Sequence, residues 1–291
     1  MTTSAGSRKA RSRDTRILRA YQDLEIRRQI LQKKQSITLP QCADDVRSFW
    51  TVFSRTFADA YGHPSNDMIF EQSQEVLAEY PAGTAGPCVL FSGGVESTYV
   101  TLLHPDVVRF TVENKPDVHP RGGEMFIQAR ARGFSKVLYG GNERMWGERD
   151  DGRMWDRAAG VWVSSEGFEF TEEFRELWLH YLGLRILCPT EHLYKDEIVQ
   201  AIYDRSPDAY YALHSCDFRK RGWCGYCDKC LITGAIVDAL GLPRLFRMRA
   251  SSYSEEVVEG LKSYRTGDYD PFWKLQVFRR LEDVFGYTFK I

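Results

Sequence analysis

Four cysteines carry the most specific chemistry in the chain. Cys224, Cys227 and Cys230 form two overlapping Cys-x-x-Cys steps, and Cys216 stands upstream with seven residues between it and Cys224. Gly222 and Gly225 lie in the same stretch and allow a turn tight enough for three thiolates to converge while Cys216 closes a tetrahedron. A full set of four sulfur ligands suits structural Zn²⁺, since a catalytic zinc keeps one position open. Such a metal can contribute on the order of 10 kcal/mol to folding a small element. The same ligand set also suits an iron–sulfur cluster, and buried thiols sometimes gather without a metal. Zinc is the reading adopted.

A second chemistry is written in Ser92-Gly93-Gly94-Val95-Glu96-Ser97, which follows a short apolar run from Cys88 and leads into a helix-compatible segment. The two glycines let an anion approach the main chain closely. With the Ser92 and Ser97 hydroxyls and the unpaired N–H groups of a helix start, they form a phosphate-sized turn. A tight strand-to-helix connection with no ligand uses the same residues. Lys195 stands at another strand-to-helix rim, where a lysine either reaches a triphosphate as a mobile point charge or is merely solvated. Cations are disfavoured at a helix N-terminus unless they serve an anion there. Glu143 in a loop, His192, and the run Arg219, Lys220, Arg221 are further candidates for substrate contact or acid–base work, each with an ordinary surface role as the competing reading.

Elements must bring these groups together. From residue 88 onward, short apolar runs alternate with amphipathic stretches: strands near 88, over 107–112, 136–139 and 184–188, and helices over 122–132, 171–182 and 196–203. That is the signature of a parallel sheet with crossover helices. Ligands in such sheets sit beyond the carboxyl ends of the strands, which places Thr111 and the Gly140-Gly141 rim beside the Ser92 loop. Residues 1–87 read as a basic, disordered tail followed by helices over 15–35, 44–61 and 66–80, with the Phe49, Trp50, Phe53 stripe serving packing. The start is also Arg-rich and acid-poor, as a transit peptide is. Residues 146–166 are expected to be a substrate-covering loop. Helices over 254–264 and 271–285 are expected to pack on the sheet or on the second subunit of a homodimer. Three regions result: 1–87, 88–215 and 216–291.

Composition narrows the class. The chain has 291 residues, 43% hydrophobic and 27% charged, with a net charge of −1. That balance is ordinary for a globular protein and argues against nucleic acid as an obligatory partner. No apolar run approaches the eighteen or so residues of a membrane span, and no apolar signal core stands at the start. Seven cysteines, an odd number, suggest a reducing compartment, so a cytoplasmic location is expected. Cys42, Cys88 and Cys188 lie in or near apolar runs and read as core residues.

The 92–97 run closely resembles the SGGxDS loop of the PP-loop ATP pyrophosphatases, which split ATP into AMP and pyrophosphate to activate an oxygen on a second substrate. Glu96 stands where that family usually has Asp, displacing the carboxylate by about one carbon–carbon bond. The 189–197 segment resembles the Pro-x-x-x-Leu-x-Lys-x-Glu segment of those enzymes, which implies Lys195 on the β or γ phosphate. Followed by Ser215-Cys216 and Cys224-Gly-Tyr-Cys-Asp-Lys-Cys230, the motif order is similar to that of the 7-cyano-7-deazaguanine synthase family and of the related ATP-dependent epimerase of a peptidoglycan-precursor glutamate. The likeness covers about residues 88 to 240. It implies an adenine nucleotide alpha hydrolase-like α/β fold, with an N-terminal helical extension and a C-terminal zinc-binding helical region. It also implies ATP on Ser92, Gly93, Gly94, Val95, Glu96, Ser97, Thr111 and Lys195, with Mg²⁺, and Ser92, Glu96 and Lys195 catalytic. Glu143 and Arg219 are the substrate candidates, and Zn²⁺ belongs to the four cysteines. The expected reaction adenylates a carboxylate or amide oxygen of a small molecule for attack by a nitrogen nucleophile. Adenylation-driven epimerisation, tRNA thiolation through Cys188, and a non-catalytic ATP-binding module are the alternatives.

Overall fold

The computed structural model describes residues 29–30, 32, 34–41, 44–60, 68–76, 85–111, 122–141, 153–156, 161–164, 172–216, 222–225, 227–247 and 273–287. The architecture is mixed α/β with parallel sheets. In chain order it runs β1 (Ser36–Gln41), α1 (Asp44–Ala60), β2 (Ile69–Val76), β3 (Ala85–Leu90), α2 (Val95–Leu103), β4 (Val108–Phe110), α3 (Gly122–Ala131) and β5 (Phe134–Leu138). It continues through β6 (Arg153–Asp156), β7 (Val161–Ser164), α4 (Glu172–Leu182), β8 (Arg185–Leu187), α5 (Lys195–Arg205), α6 (Pro207–Tyr211), α7 (Asp228–Ala239) and α8 (Trp273–Phe285). The main sheet has the strand order β4-β3-β5-β8, so the chain crosses back over β3 on its way from β4 to β5.

Two expectations need correction. Within the expected 66–80 helix, residues 69–76 are strand instead: β2 pairs in parallel with β1, Ser36 opposite Ile69 and Leu39 opposite Gln72. The region up to residue 87 is therefore not simply a helical extension. The physical reason lies in β1, where Ile37 and Leu39 enter the core while Thr38 between them is exposed. That strand offers a ladder to a polar segment, Gln-Ser-Gln-Glu, which has no strand preference of its own. The 146–166 stretch is not all loop either, because β6 and β7 pair antiparallel with Trp155 opposite Trp162. The basic tail over 1–14 and the 254–264 helix lie outside the described residues, as does most of the 15–35 helix.

The chain divides into two compact units. One comprises Met1–Cys88, Val112–Val137 and Phe168–Ile186; the other Val89–Thr111, Leu138–Gly167 and Leu187–Ile291. In the first, α1 packs on α4 through aromatic rings. Trp178 lies 4.6 Å from Phe49 and 5.5 Å from Phe126, centroid to centroid. The stripe expected to be packing is core, with Phe49 and Phe53 fully buried. The Arg130 guanidinium Nε–H donates to the Leu182 carbonyl at 2.6 Å and ties α3 to the end of α4.

The second unit is built on helices. Val95 and Tyr99 of α2, Ile198 and Ile202 of α5, Ile236 of α7 and Phe278 of α8 share one buried cluster. Burying each such side chain is worth about 1.5–3 kcal/mol. Val89, Val100 and Leu138 join the carboxyl ends of β3 and β5 to α2. The candidate site lies wholly in this unit.

Candidate functional site

The 92–97 loop is held by backbone bonds at its start. Phe91 N–H donates to the Phe110 carbonyl at 3.0 Å, and His214 N–H donates to the Gly93 carbonyl at 3.1 Å. Gly93 has φ +80°, a left-handed conformation that a residue with a Cβ takes only with strain. Inside the loop the Ser92 N–H donates to Ser97 Oγ at 3.2 Å, and the two hydroxyls are hydrogen-bonded to each other at 3.1 Å. Gly94 N–H donates to Ser92 Oγ at 3.3 Å. Helix α2 then starts with Gly94 as an N-cap that offers no side chain, so its first N–H groups carry no side-chain cap and the positive end of the dipole faces the loop. Val95 sends its side chain into the core, which leaves its backbone N–H as what it can offer an anion.

The turn after β5 braces this helix start. A Cβ on Gly140 would lie 2.5 Å from the Glu96 carbonyl carbon and 2.7 Å from Ser97 N, so only glycine lets the two backbones come this close. Thr190, fully buried, clamps the next residue: its hydroxyl donates to the Gly141 carbonyl at 2.5 Å and accepts from Gly141 N–H at 3.2 Å. The Thr111 hydroxyl, at the end of β4, donates to the Phe91 carbonyl at 3.2 Å.

Lys195 begins α5 and forms an ion pair with Glu96 of α2. The two side chains are only 11% and 16% exposed. Burial on its own would push the Glu96 carboxyl up, but the Lys195 charge and hydrogen bond, with a smaller contribution from Lys229, hold it below the ordinary carboxylate range. Two residues expected to act separately on a nucleotide thus touch one another. Helix α2 packs directly on α5, which supplies the scaffold for that contact.

The four cysteines converge as their spacing requires. Their sulfurs all lie within 4.8 Å of one another, and Cys224, Cys227 and Cys230 are 4%, 5% and 0% exposed. Cys224 and Cys230 Sγ are 3.6 Å apart, and the Cys227 backbone N–H donates to Cys224 Sγ at 3.3 Å. A tetrahedron with metal–sulfur bonds of about 2.3 Å has edges of about 3.8 Å, so the cluster fits one zinc-sized ion. Gly222 and Gly225 take left-handed φ of 74° and 79° in the turn between the ligands. Burial foremost, and the neighbouring thiols, push the Cys230 thiol up. Four sulfurs at this spacing, three of them on buried residues, are well explained by a cation that replaces their protons. Trp223 stacks on Phe246 at 4.5 Å, and both pack against the cluster.

Glu143 and Arg219, with Lys220, Arg221 and Cys42, lie outside the described residues. His192 has a side chain that is 88% exposed, paired at 3.6 Å with Glu191. Cys88 and Cys188 are buried, and burial pushes the Cys88 thiol up to about 12. Sequence reasoning did not single out His214, whose backbone meets Gly93, or Lys229, which lies inside the cysteine motif without being one of its ligands. Among the described residues, no helix is long and apolar enough to cross a membrane. No protein-family model, curated protein or solved structure matches the chain.

Proposed function

We propose that the chain is an adenylate-forming ATP pyrophosphatase of the PP-loop kind, built on a nucleotide-binding parallel sheet. One observation carries this reading: the 92–97 loop opens into a helix N-terminus without a side-chain cap, beside a lysine delivered from a different helix. The ATP phosphates lie against the Gly93–Gly94 turn and the Ser92 and Ser97 hydroxyls, where backbone N–H groups and the helix dipole offset their charge. Lys195 answers the charge that develops on the leaving pyrophosphate. A carboxylate or amide oxygen of a small-molecule substrate attacks the α-phosphorus, the α–β bridging P–O bond breaks, and pyrophosphate departs. A nitrogen nucleophile then adds to the activated carbon and AMP leaves with the transferred oxygen. Glu96 is the residue that would hold Mg²⁺ or its water, and the ion would supply positive charge to offset the triphosphate. Zn²⁺ on Cys216, Cys224, Cys227 and Cys230 would be structural, since no ligand position stays open.

A second reading rests on the Glu96–Lys195 pair. A lysine already neutralised by a carboxylate suits a module that binds ATP without turning it over. One experiment separates the two. Purified protein is incubated with Mg²⁺, labelled ATP and a metabolite extract, and AMP is resolved from ADP beside the Ser92→Ala and Glu96→Asp variants. The proposed reaction yields AMP and pyrophosphate, lost in Ser92→Ala and altered in rate in Glu96→Asp. ADP as product would overturn the chemistry, and ATP binding without turnover in every form would select the binding module.

A further inference from the structure

The residues on either side of Lys195 are gripped from the far end of the chain. Arg280 of α8 forks onto Asp196, Nε–H donating to Oδ1 at 2.7 Å and Nη2 to Oδ2 at 2.9 Å. The Arg280 and Asp196 side chains are 11% and 3% exposed, so this bidentate pair is shielded from water. The same guanidinium lies 3.7 Å from the centroid of the Tyr194 ring, a close cation–π contact. Its Nη2 is also 3.8 Å from Glu197 Oε1, while Glu197 Oε2 accepts the Tyr194 N–H at 2.8 Å. Tyr194, Asp196 and Glu197 are thus all engaged by Arg280 or by each other. Lys195, in the middle, is directed to Glu96.

Helix packing alone does not require this arrangement. The apolar face of α8 already packs on α7 through Val277, Phe278 and Leu281. A buried guanidinium is a costly addition, since an apolar pair of the same volume is often at least as stable. What the fork supplies is orientation, because two parallel bonds and a ring contact fix the first turn of α5 in rotation as well as in position.

We infer that Arg280 is a positioning residue for Lys195: the C-terminal helix α8 holds the first turn of α5 so that the lysine stays paired with Glu96 at the mouth of the phosphate loop. The inference rests on the functional reading only for what Lys195 then meets, a phosphate. The geometry it asserts is testable without nucleotide.

The test compares wild-type protein, Arg280→Lys, Arg280→Gln, and the charge-neutral pair Asp196→Asn with Arg280→Gln, which keeps volume and leaves no buried carboxylate unpaired. Acetylation of individual lysines by limiting acetic anhydride is followed by mass spectrometry, with Lys136 of β5 as the internal reference. Lys195 acetylation is expected to rise about tenfold over wild type in Arg280→Gln and in the paired variant, the scale of one lost charge-assisted bond, with Lys136 unchanged. Arg280→Lys, which keeps the charge without the fork, is expected between them. An unchanged Lys195 rate in any cooperatively folded variant lacking Arg280 overturns the inference, and the paired variant supplies that measurement if Arg280→Gln does not fold. A second arm measures ATP and adenosine binding to the same proteins. ATP should weaken about tenfold in Arg280→Gln while adenosine holds, and adding Lys195→Ala should weaken ATP no further than Lys195→Ala alone. Equal losses for ATP and adenosine would mark Arg280 as merely structural. Wild-type protein that binds no ATP would sink the functional reading, and the acetylation result would still decide the positioning of Lys195.

Discussion

The Glu96–Lys195 pair makes stability depend on pH in a definite direction. Glu96 is held below the ordinary carboxylate range when folded, so the folded state binds fewer protons there than the unfolded chain. Its contribution is therefore complete above the ordinary carboxylate pKa and is lost as pH falls through the lowered folded value. Glu96→Gln should cost about 2 kcal/mol near neutral pH by urea unfolding, the scale of a charge-assisted bond. That difference should shrink when the pH is taken from neutral into the acid range below the ordinary carboxylate pKa, as the wild-type carboxyl begins to protonate. Equal differences at both pH values would mean that the pair contributes nothing to folding. Single residues were legible in the sequence where chemistry is contiguous. The four cysteines span a short stretch, so spacing alone anticipated their convergence. Lys195 and Glu96 were each singled out, but their contact was not, because a pairing across almost a hundred residues leaves no local signal.

At the scale of elements, the turn after β5 meets the start of α2 at Gly140, where no side chain fits. Gly140→Ala places a methyl 2.5 Å from the Glu96 carbonyl carbon, a backbone atom that cannot rotate away. The variant should lose about 1–3 kcal/mol, as overpacked sites do, read from the denaturant midpoint. It should also shift the start of α2, so phosphate-dependent binding should fall with it. A midpoint and affinity equal to wild type would show that the turn yields easily. Periodicity placed α3, β5, α4, β8 and α5 within a few residues of the expected spans. It failed at β2, whose polar run takes its conformation from the ladder with β1 rather than from its own pattern. Helix α6 was also missed, although Ser206 and Pro207 are an ordinary start: the Ser206 hydroxyl oxygen accepts the Ala209 N–H at 3.2 Å, with proline in the first turn. The fork from Arg280 to Asp196 joins residues 84 apart in sequence and has no spacing rule to betray it.

At the scale of the whole molecule, the cysteine cluster is where a bound metal would couple to the folding of the second unit. Gentle purification should yield one zinc per chain by elemental analysis, and Cys230→Ser should remove it. A metal that binds only the folded chain stabilises it, so the loss should lower the thermal midpoint by several degrees or more. Full metal content in Cys230→Ser would place the metal elsewhere. The aromatic neighbours of the two cores add something different. Trp178 sits among Phe49 and Phe126 in the first unit, whereas Trp223 lies face to face with Phe246 against the thiols in the second. Indole fluorescence depends on the surroundings of the ring, so these two tryptophans among the seven are built-in optical probes of separate events. A chain keeping only Trp223 should change its emission when a chelator strips the metal, and a chain keeping only Trp178 should stay dark to that step until the first unit itself melts.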